Sequence, residues 1–202
     1  MNYTEKLQEL NTEIHNQNVK AGWWTALRDI PGIQKGASIL DSRNRAELLM
    51  LVVSEVSEAD EGFTKGLNDD KLPHLPMFDV ELADVSIRLF DMLGAENTVN
   101  GDEIDFDFDH AIGNKWNDLR EASHERQLLT IVNHCSAAME HLRKGRVAEQ
   151  RREMSWAQAT AFAIASVRGI DLFDVIQQKR DFNANRADHK VENRAKEGGK
   201  QF

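Results

Sequence analysis

Cysteine occurs once, at Cys135, and proline three times, at Pro31, Pro73 and Pro76, in a chain of 202 residues. A lone cysteine excludes an internal disulfide framework and fits a reducing cytosol. With so few prolines long stretches are free to be helical, and alternating β-branched runs are almost absent, so an all-α fold is expected. No apolar run approaches the roughly 18 residues needed to span a bilayer. The opening MNYTEKLQEL lacks the basic start and apolar centre of a signal peptide, so a cytoplasmic protein with no membrane partner is expected. Positive charge is also short: 25 basic residues face 34 acids, a net charge of -9. That balance argues against a nucleic-acid partner gripped through its backbone. A phosphate ligand would have to be met by a metal ion or by a local basic cluster. There is no Gly-rich phosphate loop and no nucleophile elbow, and His134 and Cys135, adjacent on a helix, point about 100° apart.

What is present is helical periodicity. Tyr3, Leu7, Leu10 and Ile14 define a first helix that fades near Ala21-Gly22 and leads to a loop through Pro31 and Gly36. Asn44, with Glu47 three residues on, reads as a capping box for a second helix. Its apolar stripe is Leu48, Val52, Val56, Ala59 and Phe63, and Gly66 ends it. The LPHLP segment cannot continue a helix. A third runs from about Asp79 and is expected to stop at Gly94. Further helices are expected at about 106–120, 125–143, 153–168 and 171–187, followed by a loosely ordered polar tail, ENRAKEGGKQF. The acidic connection GDEIDFDFDH lacks the glycine and closing glutamate of a calcium-binding EF-hand loop and reads as a solvated loop or helix start.

Sliding the chain against itself aligns residues 49–66 with 128–145, a shift of 79. Val53, Ser57, Ala59, Glu61, Lys65 and Gly66 then meet Val132, Ser136, Ala138, Glu140, Lys144 and Gly145. The expected organisation is a tandem pseudo-twofold repeat: residues 1–100, residues 101–190, and a tail at 191–202. Where the first copy carries Glu55 and Glu58 the second has His134 and Ala137, so the second reads as a degenerate structural partner.

Two acid pairs share one spacing, Glu55 with Glu58 and Glu81 with Asp84. Acids three apart project from one helix face, and antiparallel packing of their helices brings both pairs to one point. Four converging carboxylates repel unless a divalent cation sits between them, and all-oxygen ligation suits magnesium or manganese. A solvated helix face is the alternative use of such acids. Near the C-terminus Lys179, Asn183 and Arg186 share one helix face, suited to a chain of phosphates or to the helix dipole. Trp23 and Trp24 are suited to stacking on a nucleobase or to the core. His74 lies in the loop between the acid helices. Because the helix 153–168 is apolar over most of its circumference, a homodimer is expected.

SEVSEADEG followed by ELADVSIRLFD resembles the paired-acid signature of the all-α nucleoside triphosphate pyrophosphohydrolases, the MazG-like group that includes the dimeric dUTPases. AGWW, DDKLPHLPM and NANRADHKVENR are similar to a small MazG-like subgroup of bacteria and phages. The resemblance implies a helical bundle holding Mg2+, or Mn2+ in its place, through Glu55, Glu58, Glu81 and Asp84. It implies cleavage of a nucleoside triphosphate, expected to be a deoxyribonucleotide, to monophosphate and pyrophosphate in nucleotide-pool control. Trp24, His74, Lys179, Asn183 and Arg186 would then meet the substrate. Other outcomes on the same residues are a dUTP/dUDP or guanosine-alarmone hydrolase, or an inactive helical binding protein. Many members carry two adjacent glutamates where this chain has Ser54 before Glu55, which leaves Glu55 or a metal-activated water as the base.

Overall fold

The computed structural model describes residues 2–27 and 43–200, and the loop expected through Pro31 and Gly36 lies outside them. The chain folds as α1 (Tyr3–Lys20), α2 (Arg45–Lys65), α3 (Met77–Asn100), α4 (Phe108–Leu119), α5 (His124–Leu142), α6 (Val147–Arg168), α7 (Leu172–Ala184) and the short α8 (Val191–Arg194). No β-strand forms among the described residues, and no helix is long and apolar enough to cross a membrane.

Local sequence fixes the ends. Asn44 caps α2 by accepting from the Ala46 and Glu47 amides, and its side-chain amide donates to Glu47 at 3.0 Å. The acidic connection supplies caps as well: Asp107 accepts from the His110 amide to start α4. Asp109 accepts from the Tyr3 and Thr4 amides, both at 3.0 Å, and so joins the start of α1 to α4.

The helices form two antiparallel hairpins. In α2–α3 Arg45 pairs with Glu96 at one end, and Gly62 meets Met77 at the other. In α5–α6 His134 pairs with Glu153, and Gln127 with Arg168. The hairpins face each other, α2 against α5 and α3 against α6. The remaining helices cross over: α4 packs on α6 and α7 packs on α3, while α1 lies along α3. A side chain on α7 therefore reaches the face of α3. The core is continuous from Leu7 and Ile14 through Val52, Leu89 and Phe90 to Ile131, Phe162 and Ile176.

Four readings from the sequence change. Helix α3 does not stop at Gly94 but runs on to Asn100. At Gly94 a Cβ would stand 2.4 Å from the His15 Cβ and 2.5 Å from the Asn11 carbonyl oxygen, so this glycine lets α1 and α3 close together. Helix α6 starts six residues before the expected Glu153, at Val147. Its apolar circumference, Met154, Ala157, Ala161, Phe162 and Ile164 included, is buried within the chain by α3, α4 and α5, which removes the reason given for a homodimer. The tail folds back: Arg194 is 1% exposed, with its guanidinium 3.5 Å from the Trp23 ring centre.

In a helix interior glycine to alanine ordinarily stabilises by about 1 kcal/mol. Gly94→Ala is expected to do the reverse here, lowering stability by about 1–3 kcal/mol through overpacking. Urea unfolding of the two chains measures the sign.

Candidate metal and anion site

The site lies where α2 and α3 cross. Gly62 makes the crossing close: a Cβ there would come within 2.8 Å of the Met77 Cβ and 3.0 Å of the Phe78 amide nitrogen. Glu55 on α2 and Glu81 and Asp84 on α3 each present a carboxylate oxygen, all within 4.8 Å of one another. Glu55 and Glu81 are 6% and 5% exposed, so these acids are removed from solvent, and Glu81 hydrogen-bonds Glu55. Glu58 stands one turn on, exposed and outside this trio.

Crowding carboxylates in a dry crossing disfavours their charge. Burial, then the charge of Asp84, then the hydrogen bond to Glu55 push the Glu81 carboxyl up to about 9. Burial raises Asp84 to about 6, with the nearby Lys179 ammonium working the other way. Glu58 is raised by burial and by the charge of Glu55.

Two cations counter this charge. Arg88, one turn beyond Asp84 on α3, donates its Nε–H to Glu55 Oε1 at 2.6 Å. Lys179 on α7 pairs its Nζ with Asp84 Oδ2 at 2.8 Å. Burial works against the Lys179 charge, but the attraction of Asp84 more than offsets it and holds the ammonium above the ordinary lysine range.

Beside the trio opens a cleft of about 290 Å³. Asp84, Arg88 and Lys179 form the wall nearest the acids, Arg43, Arg186 and Lys200 add positive charge, and Trp23 and Leu48 add apolar surface. A protein of net charge -9 thus gathers five Lys and Arg side chains around one opening.

Of the residues singled out from sequence, Glu55, Glu81, Asp84 and Lys179 come together, and Asn183 and Arg186 line the same cleft. Trp24 does not line it. That ring is buried in the core, its Nε1–H donating to Asp91 Oδ1 at 2.7 Å, and Trp23 takes the place on the wall. His74 also lies outside the cleft, exposed, its Nε2 2.8 Å from Gln178 Oε1. Sequence reasoning missed Arg88, although its spacing was informative: Arg88 lies seven residues after Glu81, on the same helix face.

The α5–α6 hairpin offers an internal comparison. At the shift of 79 that takes Glu55 to His134, the Glu55–Glu81 contact has a counterpart in His134 Nδ1 and Glu153 Oε2, 2.8 Å apart. Glu153 and Trp156 follow Glu81 and Asp84 at a constant shift of 72. Lys115 on α4 lies 5.3 Å over the Trp156 ring, as Lys179 on α7 lies on Asp84. The α5–α6 hairpin presents a single carboxylate with a histidine and an indole.

No protein-family model, curated protein or solved structure matches the chain.

Glu81 keeps its proton in the fold up to about pH 9, whereas the usual carboxyl loses it near 4.5. The folded state therefore binds more protons across that window, and stability falls with rising pH. In the metal-free protein this contribution is complete below pH 4.5 and lost by about 9. Glu81→Gln is expected to flatten that slope in melting temperatures recorded from pH 5 to 9.

Proposed function

We propose that the chain is a magnesium-dependent nucleoside triphosphate pyrophosphohydrolase, converting a (deoxy)nucleoside triphosphate to its monophosphate and pyrophosphate in nucleotide-pool control. The observation that carries this reading is the trio of Glu55, Glu81 and Asp84, whose Asp84 lines a cleft together with Arg43, Arg88, Lys179 and Arg186. Hard oxygen donors beside a basic groove suit a hard divalent cation together with a polyphosphate. The resemblance of SEVSEADEG and ELADVSIRLFD to the MazG-like group supports the same chemistry, and the packing of the α5–α6 hairpin against α2–α3 is in keeping with a helical bundle.

The donor set fits the ion. Three carboxylate oxygens within 4.8 Å of one another leave positions for water and for phosphate oxygens, which is how magnesium is usually held. When bound, such an ion neutralises phosphate charge and makes water a competent nucleophile near neutral pH.

The chain's own residues do the rest. Glu55, Glu81 and Asp84 would hold the cation, with Glu81 and Asp84 giving up the protons that burial favours. Glu58, at the exposed edge of the trio with a raised affinity for protons, is placed to accept one from water. Arg88, Lys179 and Arg186 bind phosphate oxygens, for which the guanidinium fork is well shaped. Trp23, which lines the same cleft, offers an aromatic wall to a base.

A panel of common ribo- and deoxyribonucleoside triphosphates, incubated with Mg2+ or Mn2+ and analysed for pyrophosphate and monophosphate, tests this. Glu55→Gln and Asp84→Asn are expected to lower turnover at least about 100-fold, the scale of losing one preorganised electrostatic group. Circular dichroism should stay unchanged. Pyrophosphate release at the parent rate by both variants would remove the acids from the reaction.

A further inference from the structure

The two cations that hold the acid trio also line the cleft. Arg88 sits on Glu55 and Lys179 on Asp84, and each contributes to the wall that an anionic ligand would touch. Lys179 is 4% exposed, and its Nζ is engaged by Asp84 at 2.8 Å. The two ion pairs place two positive charges on two members of the trio, Glu55 and Asp84, the charge that one divalent cation would bring to the site.

We infer that Arg88 and Lys179 are internal stand-ins for the divalent cation: when the cation takes the carboxylates, both side chains are released toward the cleft and become ligands for phosphate. This rests on the reading of the trio as a cation site. Binding of cation and of polyphosphate is then positively coupled, with the cation first. Without it Arg88 and Lys179 stay on their carboxylates and the groove is two charges short. The exchange keeps the buried charge nearly constant throughout, avoiding the penalty of leaving either a carboxylate or an ammonium unpaired in a dry site. The second half shows the arrangement without the exchange. There Lys115 rests over the Trp156 ring, and a single carboxylate, Glu153, is paired with His134.

The test uses Mn2+ as the cation, followed by its paramagnetic resonance signal, and inorganic pyrophosphate as the anion, followed by calorimetry. Lys179→Met and Arg88→Met remove a competitor for the carboxylates, so each is expected to bind Mn2+ about 5–10-fold tighter than the parent chain, within the usual range of site coupling. Each should also lose most of the Mn2+-dependent gain in pyrophosphate affinity. Their melting temperatures should fall without metal and recover with it. Should Lys179→Met fail to fold, Arg88→Met carries the test, because Arg88 is 35% exposed. A readout on the unaltered chain is acetic anhydride labelling of Lys179, which should rise several-fold when Mn2+ is added. Parent-like or weaker Mn2+ binding in the variants, or labelling that Mn2+ leaves unchanged, overturns the exchange while leaving the cation site standing. No Mn2+ binding by the parent chain overturns both.

Discussion

Everything at this site depends on one electrostatic constraint. Three carboxylates are packed into a helix crossing that excludes water, and something positive must answer them. Glu55, Glu81 and Asp84 bring oxygens within 4.8 Å of one another at low exposure. The protein answers with a raised proton affinity at Glu81, which hydrogen-bonds Glu55, with Arg88, and with Lys179. Such an arrangement is a poor source of stability, because desolvating charges costs about as much as pairing them returns. An apolar crossing of the same shape would serve the fold as well, which points to use of the acids rather than to packing.

The fold supplies these answers through its crossing helices. Lys179 is far from Asp84 in sequence, and only the packing of α7 on α3 brings them together. The equivalent crossing of α4 onto α6 brings Lys115 to Trp156 and Glu153. The α2–α3 hairpin thus carries three acids where the α5–α6 hairpin, packed against it, brings together His134, Glu153 and Trp156. In the second hairpin, helices of the same kind pack just as closely. The acids of the first are not demanded by the helices that carry them.

Much of this was legible in the sequence. The Asn44 cap, the ends of α2 and the meeting of Glu55 with the Glu81–Asp84 pair followed from spacing alone. Lys179, Asn183 and Arg186 were legible as one face of a helix, although what that face met was not. The misreadings have physical causes. Gly94 looked like a helix stop because isolated glycine usually is one, but there the missing side chain serves a close crossing with His15, which no local pattern encodes. Neighbouring tryptophans point in different directions from a turn, and only the position of Asp91 decides that Trp24 goes inward and Trp23 faces the cleft. The polar tail looked unable to order itself, yet Arg194 gains the Trp23 ring, a partner distant in sequence. Glu58 shares a helix face with Glu55 yet falls outside the trio, since one turn along α2 carries it past the crossing into solvent.

The central claim is that the α2–α3 crossing is a divalent-cation site and its counterpart on α5–α6 is not. Anomalous diffraction from crystals soaked in Mn2+ tests it directly. One strong peak per chain is expected, bounded by Glu55, Glu81 and Asp84, and none between His134 and Glu153. A peak at the second position, or no peak at the first in a well-ordered soaked crystal, would contradict it.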